Sequence, residues 1–199
     1  MKHIFKSKET RQTHIPLLRR FMVGNEGSMT VEAIIMFPLL CWAYVATFAF
    51  FDAFQARSTN LKATFTVADM LSRQLDVVDA PYIEGLLDMF EFLSNSADDD
   101  TWIRVTSVVC TEECDKDARV LVKDWSFATG NNYTLTDVDV ATYGDRVPVM
   151  PVHDRVLMIE TFMNYQPVFN VGIPLLEMSE LAVTRSRFAP KLCWETCVE

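Results

Sequence analysis

The sequence predicts an α+β protein: an N-terminal transmembrane helix continuing as a long amphipathic stalk, a second helix, then an antiparallel sheet of about four strands. Three observations carry that prediction. An uncharged run of 19 residues stands near the N-terminus, from Ala33 to Phe51. A helical apolar period follows it. From Trp102 onward the pattern changes to valine- and aromatic-rich segments separated by turn residues, the order that marks helices packed on an antiparallel sheet.

The run AIIMFPLLCWAYVATFAFF lies between Glu32 and Asp52. At about 1.5 Å per residue it reaches roughly 28 Å, close to the ~30 Å hydrocarbon core of a bilayer. A buried helix of a soluble protein is seldom this long without a polar residue. A secretory signal has a shorter apolar stretch and an A-x-A-like exit, which is missing here. Trp42 and Tyr44 fall mid-span and read as packing residues rather than interface anchors.

Charge sets the orientation. Residues 1–27 hold six basic and two acidic side chains, 6 − 2 = +4, and the rest of the chain holds 12 and 25, 12 − 25 = −13. A basic flank predicts a cytoplasmic N-terminus and an exported body, periplasmic or extracellular. The acidic body repels phosphates, so no nucleic-acid partner is expected. The expected organisation is a basic leader over 1–27, the transmembrane helix and stalk over 28–78, and an α+β head over 79–199.

Beyond Asp52, residues Phe54, Leu61, Phe65, Ala68, Leu71 and Leu75 form one helical stripe, which predicts continuation to about residue 76. Asp69 and Arg73, four apart, can pair along its surface. Asp79 before Pro81 reads as a helix start, and Ile83, Leu86, Leu87, Phe90 and Leu93 form the apolar face of a helix ending near Ser94-Asn95-Ser96. Trp102–Cys110 and Ala118–Ala128 read as two strands of a hairpin joined by a charged loop, and Thr129-Gly130-Asn131-Asn132 after them is a turn signal. Residues 133–153 read as an irregular connection. Asp154–Tyr165 and Glu180–Phe188 complete the strands.

The cysteines point to structural chemistry. Cys41 lies in the span as a small apolar residue. Cys110, Cys114, Cys193 and Cys197 lie in the exported part, an even number suited to an oxidising compartment. Both pairs have three intervening residues, unlike a thioredoxin-type dithiol. Four cysteines permit three connectivities. A turn brings Cα atoms within the bridging range of about 4.4–6.8 Å, which favours Cys110–Cys114 at the hairpin and leaves Cys193–Cys197 by elimination; the other pairings stay open.

Catalytic, metal and cofactor sites are not expected. His153, the one exported histidine, has no G-x-S-x-G or comparable nucleophile setting. Asp98-Asp99-Asp100 lacks the ordered ligand spacing of an EF-hand and reads as a solvated loop. Glu160 stands in an otherwise apolar strand, where it must be hydrogen-bonded or ion-paired.

The most informative segment precedes the span: Gly24-Asn25-Glu26-Gly27-Ser28-Met29-Thr30-Val31-Glu32. A glutamate at the edge of a membrane helix is costly without a partner, and here it stands five residues after a glycine. The pattern resembles the type IV prepilin processing site, with cleavage after Gly27 and a new amine on Ser28 available to a glutamate carboxylate. The segment GSMTVEAIIMFPLL resembles the opening of the TadE/TadG-like family, pseudopilin-type components of tight-adherence (Flp-type) pilus systems. Thr64–Arg73 and Ile159–Pro167 are similar to later segments of that family. The resemblance covers most of residues 24–190; the tail after Ala189 departs from it, and the long leader does not separate TadE-type from TadG-type members.

The resemblance implies a non-enzymatic pseudopilin-like protein acting in pilus assembly. Gly27, Ser28 and Glu32 would form the processing site, and Glu32 and Pro38 would set helix register during assembly. The implied partners are the lipid bilayer, a prepilin peptidase and other pilin-type or Tad-system subunits, with no cofactor. The alternative is a membrane-anchored exported enzyme or binding domain with an unprocessed signal anchor, which has no use for the Gly27–Glu32 spacing.

Overall fold

A computed structural model describes residues 28–96, 101–116, 118–169 and 172–197. The basic leader, Gly27 and the acidic run Asp98–Asp100 lie outside the described residues. The chain forms two compact units, one up to Thr47 and one from Phe48 onward. The first helix, α1 (Ser28–Ser72), contributes to both.

In the first unit α1 is apolar and contains Pro38, which lacks the N–H that would bond the carbonyl four residues back. Thr47 Oγ1 donates to the Ala43 carbonyl at 2.8 Å. α1 is the one helix among the described residues that is long and apolar enough to cross a membrane.

The second unit is α+β. After α1 come α2 (Ala80–Ser94), β1 (Thr101–Glu112), β2 (Val120–Ala128), the short helix α3 (Asp137–Ala141), β3 (Arg155–Tyr165) and β4 (Leu176–Thr184). The strands form one antiparallel sheet in the order β2-β1-β3-β4. α2 begins where Asp79 accepts from the Tyr82 N–H at 3.0 Å, and it ends at Asn95, whose φ of 54° is the left-handed cap conformation.

The sheet is covered on both faces. On one, Ile103, Val105, Trp125, Leu157 and Ile159 pack with Ala63, Val67 and Leu71 of α1 and Ile83, Leu86 and Phe90 of α2. On the other, Val108, Leu121, Val156 and Met158 lie beneath Leu135, Val140, Val147 and Met150 of the connection between β2 and β3. That connection is expected as irregular, yet it holds α3, started by a capping box in which the Thr136 and Asp139 side chains each satisfy the other's backbone N–H. The Asp137 carboxylate accepts from the Lys123 N–H at 2.8 Å, bonding a backbone donor of edge strand β2.

Three sequence expectations shift. α1 ends at Ser72 rather than near 76, with Arg187 donating its N–H to the Ser72 carbonyl at 2.8 Å. β4 starts four residues earlier than expected, because pairing with β3 recruits Leu176 and Met178 opposite Tyr165 and Met163. The stripe of α1 that meets the sheet is only partly the expected one, sharing Ala68 and Leu71 with it. Asn60, Ala63, Thr64, Val67, Ala68 and Leu71 are buried, whereas Phe54 (72% exposed), Leu61 (38%), Phe65 (55%) and Leu75 (68%) are not. Small side chains let the helix backbone approach the sheet, and the buried polar members find partners. Thr64 Oγ1 donates to the Asn60 carbonyl at 2.9 Å and lies 2.7 Å from Thr161 Oγ1 on β3.

Candidate functional site

Two regions hold the residues singled out by sequence. The first is the start of α1. Ser28 begins the helix and Glu32 lies one turn later with an exposed side chain, as does Pro38. Gly27 lies outside the described residues, so the structure places only the downstream half of the expected processing site.

The second region is the head, where Glu160 has a partner that the sequence reading left unnamed. Arg104 on β1 is its direct cross-strand neighbour. Arg104 Nε donates to Glu160 Oε2 at 2.7 Å, and the two side chains are 2% and 7% exposed. The Tyr143 hydroxyl donates to Glu160 Oε1 at 2.7 Å, and the guanidinium also reaches the Tyr133 carbonyl and the Tyr143 hydroxyl, each at 3.4 Å. Aromatic rings enclose it: Arg104 Cζ lies 4.5 Å from the Tyr133 ring centroid, 5.4 Å from Phe162 and 5.6 Å from Trp102. Trp102 and Phe162 stack at 3.7 Å.

Burial is the largest single influence on the Arg104 pKa and lowers it, but the hydrogen bonds to Glu160 and Tyr133 and the Glu160 charge together outweigh it and the value rises. The Tyr143 hydroxyl is pushed up to about 12, first by burial and then by its bond to the Glu160 carboxylate. The buried ion pair is thus satisfied by hydrogen bonds and ring faces, and with Tyr133, Tyr143 and Arg146 it lines a cavity of about 450 Å3. Its signal in sequence is a lone arginine and a lone glutamate, each central in an apolar strand.

The remaining candidates lie elsewhere in the head. Cys110–Cys114 and Cys193–Cys197 are disulfides with Cα separations of 5.9 and 5.2 Å. The second lies where the tail is held: Val78 donates its N–H to the Cys193 carbonyl at 2.9 Å and accepts from the Glu195 N–H at 2.8 Å. Trp194 stacks on Phe127 at 4.7 Å. His153 is exposed, with φ of 65°, in the turn before β3. Among the described residues no group of three or more His, Cys, Asp or Glu side chains is arranged to hold a metal ion.

No protein-family model, curated protein or solved structure matches this chain. The functional reading therefore rests on the helix, the head and the junction between Gly27 and Glu32.

Proposed function

We propose that this protein is a non-enzymatic, pseudopilin-like subunit that acts in the assembly or function of a tight-adherence pilus. Its α1 helix is inserted in the inner membrane with the head in the periplasm, after cleavage behind Gly27 by a prepilin peptidase. The observation that carries the reading is the way the second unit uses α1. The helix turns its small side chains, Ala63, Thr64 and Ala68, to its own sheet and leaves Phe51, Phe54, Leu61 and Phe65 exposed. Those four recur at spacings of 3, 7 and 4, one face of a helix. A plain anchor would not need an apolar stripe continuing past the end of its span at Asp52. A subunit that packs laterally against the helices of other pilin-type subunits does.

In this reading Glu32 receives the new amine of Ser28, in its own chain or a neighbour's, and so fixes the register in which helices enter an assembly. Pro38 leaves one helix carbonyl for local adjustment within the packed helices. The acidic head makes the outward contacts. The test is complementation of a deletion strain. Glu32→Ala should reach the membrane at normal abundance yet fail to restore surface pili, and the double variant Phe54→Ser/Phe65→Ser should do the same. Full piliation with both variants would overturn the proposal.

A further inference from the structure

Ser107 lies midway along β1, opposite Leu157 of β3 and Trp125 of β2. It is 1% exposed, and its hydroxyl has no hydrogen-bond partner among the described residues. A buried hydroxyl is retained against its desolvation cost only where something bonds it. Over it opens a cavity of about 110 Å3 lined by Ser107, Arg155, Arg185, Ser186 and Lys191, with Asp154 at its wall. At ~30 Å3 each that is room for roughly four waters, or for one small polyatomic ion.

The charge around this cavity is opposite to that of the body. Arg155 Nε pairs with Asp124 at 3.3 Å and Lys191 Nζ approaches the same carboxylate at 3.9 Å, while Arg185 pairs with Asp154. Two carboxylates serve three cations, 3 − 2 = +1, in a body whose net charge is −13. The carboxylates hold the cations in place without neutralising them all. Arg155 and Lys191 are each 32% exposed, so their charges are partly desolvated and act at short range.

We infer that this pocket binds a small tetrahedral oxyanion, phosphate or the phosphate of a small soluble monoester. Ser107 donates its hydroxyl from the floor, and Arg155, Arg185 and Lys191 supply donors and charge from the walls. A tetrahedral anion presents acceptors in several directions, which suits donors arriving from β1, β3 and the segment after β4. That segment bonds to Ser72 through Arg187. Ser72 is 21 residues beyond Phe51, about 30 Å along the helix from the end of the apolar run. This favours a soluble ligand over a lipid headgroup. The inference is independent of how the chain assembles.

The full-length protein in a non-ionic detergent, in chloride buffer free of phosphate and sulfate, is titrated calorimetrically with inorganic phosphate and, separately, with glycerol phosphate. Saturable binding of phosphate is expected, weakened about tenfold or more by Ser107→Ala, which removes one hydrogen bond to a charged group. Lys191→Gln, on a partly exposed side chain, should weaken it similarly. In anion-free buffer Ser107→Ala should keep the wild-type melting temperature or exceed it. Binding of glycerol phosphate as well would identify a monoester site; binding of phosphate alone, a free-anion site. No saturable binding, or equal affinity in the wild type and both variants, would overturn the assignment.

Discussion

Tyr165, the last residue of β3, donates its hydroxyl to Asp52 at 2.6 Å, and Asp52 is the first charged residue after the apolar run of α1. The bond ties the point where α1 leaves that run to one end of the sheet. Tyr165→Phe should lower the unfolding free energy of the second unit by about 1–2 kcal/mol, the range for a hydrogen bond to a partly solvated charge. Reversible denaturation of the full chain in detergent, followed by tryptophan fluorescence, measures it. An unchanged midpoint would mean that the bond contributes nothing.

Arg104 and Glu160 should behave as one unit. Removing either partner leaves a buried charge, so Arg104→Met or Glu160→Leu should each cost about 3–5 kcal/mol. The double variant Arg104→Met/Glu160→Leu removes both charges and should be clearly more stable than the sum of the single losses implies. A double-mutant cycle in denaturant gives the coupling directly. Additive losses would show that the pair does not interact.

The two tyrosines bonded to carboxylates set a limit at alkaline pH. Tyr143 and Tyr165 are each pushed up to about 12, by burial first and then by the bonds to Glu160 and Asp52. In the unfolded chain both lose their protons near their ordinary value of about 10. The folded state thus holds protons that the unfolded state has released. Its extra stability is complete below pH 10 and is lost as pH rises from 10 to 12. Tyrosinate absorbance should show a late phase that Tyr143→Phe reduces, and Tyr143→Phe should flatten the fall in stability over that window.

The disulfides close short loops, so each should contribute modestly. A five-residue loop corresponds to about 2 kcal/mol on the chain-entropy scale. Cys110→Ala/Cys114→Ala should lose that amount with its hairpin intact. Cys193→Ala/Cys197→Ala should in addition loosen the tail held at Val78, seen as faster amide exchange at Val78 and Glu195, the two donors of that clasp.

Much of this architecture is legible in the residue pattern, for local reasons. Asp79 and Pro81 mark the start of α2 and Asn95 its end, because a cap is a short-range device. β1 and β2 show in their valines and aromatics, and the turn after Glu112 is consistent with a Cys110–Cys114 bridge. What escapes is long-range. The apolar period of α1 picks out Ala68 and Leu71, which do meet the sheet, but also Phe54, Leu61 and Phe65, which do not. It misses Asn60, Ala63, Thr64 and Val67, where small or hydrogen-bonded side chains make the contact. Likewise the register that sets Arg104 opposite Glu160 depends on pairing strands 56 residues apart in the chain. α3 is missed because five residues carry no periodic signal, although Thr136 and Asp139 already have capping-box spacing. For the proposed assembly site, the only signal is the spacing of Gly27 and Glu32 before the span.

The most direct test of the central claim is the N-terminal sequence of the protein isolated from its native membrane. Prepilin-type processing predicts a mature chain beginning Ser28-Met29-Thr30-Val31-Glu32. An intact leader, in cells whose prepilin peptidase cleaves its other substrates, would contradict the pilus reading and leave an anchored exported domain.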